Sequence, residues 1–333
     1  MDNAEYGGRT PTGARGRWSF LAITFGITWT VAAVGVLVGL TIEDRIGYMV
    51  LAAVCMLCPA LAAIIQQRWI EKGPWSGLGL QFAGTRWTWV VITALIGLSI
   101  VPLMLIVTSV SGALFGLDSF GAVEVSQGRL VQRIQEMTAE AGMSGIGAMG
   151  SLSAMRIPGV LLLAIIQLAA LISACTINLP MMLGEELGWR GYLFKSMQQG
   201  SSIRRVLFTG VVWGLWHAPL IAMGHNYPEY PILGIPLMML FCVLLAVPFD
   251  HARWRSGSIW APCILHGIIN GSAGGFGLFA WGGHPLVGSP VGLAGFITLA
   301  LLTIGILVFD GGYRATFTGI PPAAPRAGGA ITN

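Results

Sequence analysis

Apolar residues come in blocks along most of this chain, each too long and too uninterrupted to be an ordinary core helix. The blocks lie near 18–38, 46–65, 87–107, 158–183, 206–222, 231–249, 257–276 and 291–308. A helix needs roughly 20 apolar residues to cross the hydrocarbon core of a bilayer, so the pattern predicts about eight membrane helices. The first block is too long for the apolar core of a cleavable signal peptide. The expected organisation is a cytoplasmic N-terminal tail at 1–17, a transmembrane domain at 18–309 with its chemistry in 158–276, and a cytoplasmic C-terminal tail at 310–333.

Only one connection, between the third and fourth blocks, is long. Within it Leu130, Ile134, Met137 and Ala141 recur at helical spacing among Arg129, Arg133, Glu136 and Glu140, the pattern of an amphipathic surface helix or of a solvated cover over a loop. Pro180 interrupts the fourth block and predicts a kink or a division of that span. Glycines cluster at 184, 188, 191, 210, 214, 267 and 271, where they would let helices approach closely.

Composition agrees with a membrane protein. Charged residues make up 10% of the chain and mean hydropathy is +0.75, whereas a soluble domain carries roughly 25% charge. Counted over eight spans, Lys and Arg fall mainly on one side, and only Arg45, Arg129, Arg133 and Arg156 fall on the other. This asymmetry predicts two cytoplasmic termini, in a bacterial plasma membrane by the Gly/Ala/Arg-rich style of the chain. No basic run or basic helix face favours nucleic acid as a partner. The five cysteines lie in apolar stretches and read as small hydrophobes, the Cys55/Cys58 spacing included.

Against this background three polar clusters stand out: Glu185, Glu186 and Arg190; Trp213 and His217; and His266 and Asn270. Ionisable groups are expensive in hydrocarbon, so their placement there implies a functional site. On a helix Glu186 and Arg190 share a face and can pair, while Glu185 points about 100° away and is free to meet water and histidine. A carboxylate in that position suits general-base chemistry. Trp213 lies one turn before His217 and could floor a pocket, and Trp216 could meet lipid or another helix. His266 and Asn270, also four apart, could donate hydrogen bonds to an oxyanion. Two histidines and a carboxylate (Glu185, His217 and His266) could equally ligate zinc with an open water position. Each cluster alone is also what a packed helix interface or a solvated helix end would show.

In their order across successive apolar helices, Glu-Glu-x-x-x-Arg, aromatic-x-x-x-His and His-x-x-x-Asn resemble the CAAX-protease and bacteriocin-processing (CPBP, Abi) intramembrane peptidases, including the Rce1-type prenyl endopeptidases. The resemblance covers 158–276 and departs from the usual pattern in having Trp213 where a Phe is common, a change bearing on substrate size. It implies an all-α polytopic fold of about eight transmembrane helices enclosing an intramembrane polar cavity. It also implies peptide hydrolysis, with Glu185 and His217 activating water, His266 and Asn270 holding the oxyanion, and Glu186 and Arg190 organising the helix. Its expected partners are membrane lipid and a membrane-associated or lipidated peptide. A metal-independent site is favoured, since Asn270 beside His266 suits hydrogen-bond donation better than zinc ligation, and zinc is the alternative. A proton-coupled transporter using Glu185, His217 and His266 as a relay, or a non-catalytic immunity or scaffold protein, are the competing classes.

Overall fold

The computed structural model describes residues 13–140 and 157–319. The chain forms helices α1 (Ala14–Leu37), α2 (Arg45–Ile70), α3 (Trp87–Leu114), α4 (Gln127–Glu140), α5 (Gly159–Cys175), α6 (Leu179–Ser196), α7 (Ser202–Trp216), α8 (Ala218–Ala222), α9 (Pro231–Ser256), α10 (Trp260–Phe279), α11 (Leu293–Phe309) and α12 (Gly311–Thr318). A two-residue ribbon pairs β1 (Ala122–Val123) with β2 (Ala280–Trp281) antiparallel, Ala122 opposite Trp281. Exposed Leu37, Ile46, Val160, Ile177 and Phe309 belong to the apolar outer surface that a bilayer would cover.

The all-α class holds, but the count of about eight spans does not. Among the described residues four helices (α1, α2, α3 and α9) are long and apolar enough to cross a membrane, or six if two bent pairs each count as one span. The first pair is α5 with α6, bent by 64°, and the second α11 with α12, bent by 107°. The block at 158–183 breaks at Thr176–Asn178, just before Pro180, which occupies the first turn of α6 and so costs no intrahelical hydrogen bond. The block at 206–222 fails because α7, 15 residues long, stops at Trp216 and Pro219 opens a separate short helix. The block at 257–276 forms a helix of 20 residues, α10, but His266, Asn270, Ser272 and its glycines dilute its apolarity. An enclosing polar cavity is likewise not found among the described residues: the polar side chains of the three clusters pack against one another. A small cleft nearby is lined by Trp189, Arg190, Phe194, Arg205, Thr209 and Asp250, among others.

The bundle is arranged around the site. α7 lies along α9, α10 packs between α3 and α5, and α6 rests on α2. Glycine makes the α7–α9 contact close: a Cβ on Gly210 would sit 2.4 Å from Val243 Cα, and one on Gly214 2.4 Å from Met239 Cα. α6 meets α2 in the same way through Gly184 and Gly188, against Met56, Leu57 and Pro59. α4 is amphipathic as expected, and it is docked rather than merely solvated. Leu130 is buried, Arg133 donates to the carbonyls of Gly277 and Ala280, and Arg129 and Arg133 both lie over the Trp281 ring. Ala141, expected on the same face, lies outside the described residues, as do 1–12, 141–156 and 320–333.

At the opposite end of the bundle, charged groups tie α7, α9 and α12 together. Arg205 is bidentate to Asp250 at 2.5 and 2.9 Å, and the Tyr313 hydroxyl donates to Asp250 at 2.9 Å. Asp310 caps α12 and accepts from Arg255 at the bend, with His251 Nε2 2.9 Å from its carboxylate.

Because a side chain at Gly214 meets backbone rather than a flexible side-chain end, Gly214→Ala forces α7 and α9 apart. Overpacking of this kind costs about 1–3 kcal/mol. The variant should unfold at lower temperature in detergent and accumulate less in membranes, as thermal-shift and yield measurements would read.

Candidate functional site

Four helices bring the three clusters together. α6 is α-helical to Glu186 and then widens into a π-helical stretch over Leu187–Leu193, a local unwinding often found at functional sites. Every residue from Gly184 to Phe194 is buried. Within this stretch Arg190 Nη1 lies 3.1 Å from Glu186 Oε1, the ion pair expected from their spacing. The Arg190 guanidinium lies 4.2 Å from the Trp213 ring and 4.2 Å from the Phe249 ring, whose centroids are 5.4 Å apart. Its backbone carbonyl accepts a hydrogen bond from Arg253 Nε at 2.9 Å.

Glu185 leaves the helix in another direction. Its Oε2 accepts the indole N–H of Trp213 at 2.9 Å, and both residues are buried. The Trp213 ring also contacts His217 and His266, with centroids 6.0 and 5.7 Å away. One indole therefore stands among the two carboxylate-bearing turns and both histidines.

The histidine tautomers follow from their partners. His217 Nδ1 is 2.8 Å from the Trp213 carbonyl oxygen, which can only accept, so Nδ1 carries a proton and Nε2 is the acceptor of the neutral ring. His266 Nδ1 lies 2.8 Å from Glu186 Oε1, which leaves His266 Nε2 as the atom free to face a substrate. Among the described residues no hydrogen bond joins Glu185 to either histidine. Asn270, one turn beyond His266, is exposed, and its Nδ2 lies 3.7 Å from Met182 Sδ on α6. His217 is half-buried, so it and Asn270 form the accessible margin of an otherwise buried cluster.

The structure thus places Glu185, Glu186, Arg190, Trp213, His217 and His266 in one contact network and brings Asn270 to its edge. Trp216 does not face lipid: it is buried, its Nε1 donates to Thr28 Oγ1 at 2.8 Å, and its ring lies 4.6 Å from that of His217. Phe249 and Arg253 of α9 support the site without belonging to any of the three clusters. Their signal in sequence is weak, although two arginines and an aspartate in 250–255 at the end of an apolar block do call for partners.

A zinc site made from Glu185, His217 and His266 does not fit this arrangement. No group of three His, Cys, Asp or Glu side chains among the described residues is placed to hold a metal ion. One oxygen of Glu185 takes an indole N–H, and His266 is turned toward Glu186 rather than toward Glu185.

Comparison with known proteins places this constellation. Residues 159–272 match the family model described as Rce1-like, type II CAAX prenyl endopeptidase Rce1-like. A stretch of 52 residues is 51% identical to the CAAX prenyl protease 2 of Methanococcus maripaludis, covering 15% of this chain and 18% of that protein. The matched segment runs from the start of α5 into α10 and takes in every residue of the three clusters, while the chain spans less than a fifth of the length of the curated relative it matches.

The two glutamates separate experimentally. Removing one member of a buried ion pair leaves an uncompensated charge and costs about 3–5 kcal/mol, so Glu186→Ala should sharply reduce folded yield and thermal stability. Glu185→Gln, which leaves the Arg190 pair intact, should unfold close to the wild-type temperature in the same detergent.

Proposed function

We propose that this chain is an Rce1-like endopeptidase that hydrolyses a peptide bond at the membrane, with Glu185 as general base. The observation that carries the reading is the gathering of Glu185, His217 and His266 around one indole, within the segment matched by the protease family. The basic residues Lys195, Arg205, Arg253 and Arg255, gathered at the end of the bundle away from α4, fit the cytoplasmic side, because basic residues are retained there.

In this reading a water held by His217 Nε2 gives a proton to Glu185 as its oxygen attacks the scissile carbonyl. The carbonyl electron pair moves to oxygen, where His266 Nε2, in the doubly protonated ring, and Asn270 Nδ2 donate hydrogen bonds. When the tetrahedral centre collapses, the C–N bond breaks and Glu185 returns its proton to the leaving amine, releasing a carboxylic acid and an amine. Glu186 takes no part in proton transfer; it orients His266 and anchors Arg190. The names of the family and of the relative, CAAX prenyl endopeptidase and CAAX prenyl protease 2, favour a C-terminal CAAX peptide lipidated on its cysteine as substrate. The half-buried margin at His217 and Asn270 is where such a peptide would meet the cluster.

The test is cleavage of farnesylated and unmodified CAAX peptides by the purified full chain in lipid. Loss of general-base action costs about 10²–10⁴-fold, which Glu185→Gln should show with folding intact. Asn270→Ala removes one oxyanion donor and should lower kcat about 10²–10³-fold. Undiminished cleavage by Glu185→Gln would overturn the mechanism. Proton-coupled uptake by reconstituted protein without cleavage would instead establish a transporter, and binding without either activity a scaffold.

A further inference from the structure

We infer that Trp213 is the positioning residue of the site, its indole N–H fixing the orientation of the Glu185 carboxylate toward the attacking water. The inference rests on the peptidase reading of Glu185 and adds to it a group that holds the base without touching substrate.

Three features carry it. The Nε1–Oε2 contact is 2.9 Å long and both residues are buried, so exchange with water does not weaken the hydrogen bond. The indole itself has little freedom. Its faces and edges are taken by Arg190, Phe249, His266 and His217, and Gly214 holds the next residue of α7 against the α9 backbone. A buried Trp N–H requires an acceptor, and this one meets the carboxylate assigned to chemistry rather than a spare carbonyl. The second carboxylate is already engaged by Arg190 and His266. Carboxylates flex readily about their terminal torsion, and a donor on one oxygen leaves the other oxygen aimed along a defined direction. Loss of such alignment is costly: a misplacement of about 1 Å can reduce rate about 10²-fold.

The residue also links the histidines to the base. Its carbonyl fixes the His217 tautomer while its side chain fixes Glu185, so rotation or translation of this single turn of α7 would disturb both the acceptor of water and the acceptor of its proton. The backbone contact survives any substitution at 213 that preserves the helix; the side-chain contact survives none that lacks a hydrogen-bond donor.

The experiment uses Trp213→Phe in the full chain in lipid, together with benzothienylalanine at position 213, which keeps the bicyclic ring and removes only the N–H. Both should lower kcat for the farnesylated CAAX peptide about 10- to 100-fold with KM changed less than about twofold. The infrared band of the Glu185 carboxyl, isolated as the difference from Glu185→Gln, should shift in both variants. Should Trp213→Phe fail to fold, the near-isosteric benzothienylalanine protein decides alone. Wild-type kcat and an unmoved band, beside an inactive Glu185→Gln, would overturn the inference and leave the peptidase reading standing. If the wild-type chain cleaves no peptide, that reading falls, and the band alone decides: a shift upholds the Trp213–Glu185 positioning contact, and no shift overturns it.

Discussion

The buried pair of Glu186 and Arg190 is the constraint around which the rest of the bundle is organised. Taking two ions out of water costs several kcal/mol for each, by the general behaviour of buried charges, and mutual attraction alone does not offset it. Here the cost is met by three helices packed against α6. Trp213 of α7 and Phe249 of α9 enclose the guanidinium, His266 of α10 meets the carboxylate, and Arg253 of α9 takes the Arg190 carbonyl. A structure that solvates this pair with protein groups must hold α6, α7, α9 and α10 in register.

That arrangement divides labour between adjacent carboxylates. Glu186 is consumed by Arg190 and His266, while Glu185, one residue earlier and pointing elsewhere, keeps a single strong donor, the indole of Trp213. Two neighbouring acids of the same type thereby acquire different chemistry from the direction in which a helix presents them. The π-helical turn that begins at Leu187 places Arg190 within the same buried stretch and lets Gly188 settle against Pro59 of α2.

Much of this was legible in the sequence, in the parts governed by local geometry. The Glu186–Arg190 pair follows from four-residue spacing, the existence of α4 from its amphipathic period, and the close helix contacts at Gly210 and Gly214 from their small size. The partners of His266 and Trp216 were not legible, because a ring on a helix face can turn to several neighbours and only packing selects one. The Trp213–Glu185 hydrogen bond left a signal that was not used: a tryptophan in an apolar block must place its N–H somewhere. The span count erred for a different reason. Hydropathy sums over a window, whereas the break at Thr176–Asn178 and the stop at Trp216 are set by local backbone chemistry on either side of Pro180 and Pro219.

The two helices that carry the histidines of the site fall short as independent spans. α7 ends at His217 and α10 is interrupted by His266 and Asn270, and neither is apolar and long enough to cross a membrane by itself. Polar side chains raise the cost of inserting a helix alone, so such a helix is stable only where neighbours face it. α10 has α3 and α5 beside it, and α7 lies along α9 with α1 nearby, while the helices that do qualify as spans form much of this surrounding wall. The polar cluster and the lipid boundary thus fall to different segments: apolar helices line the outer surface, and the shielded, more polar ones carry the histidines of the site. Arg205, Trp213 and Trp216 of α7 and His266 of α10 are each met by a partner on another helix, which makes the geometry of the site a condition of the bundle's assembly as well as its product.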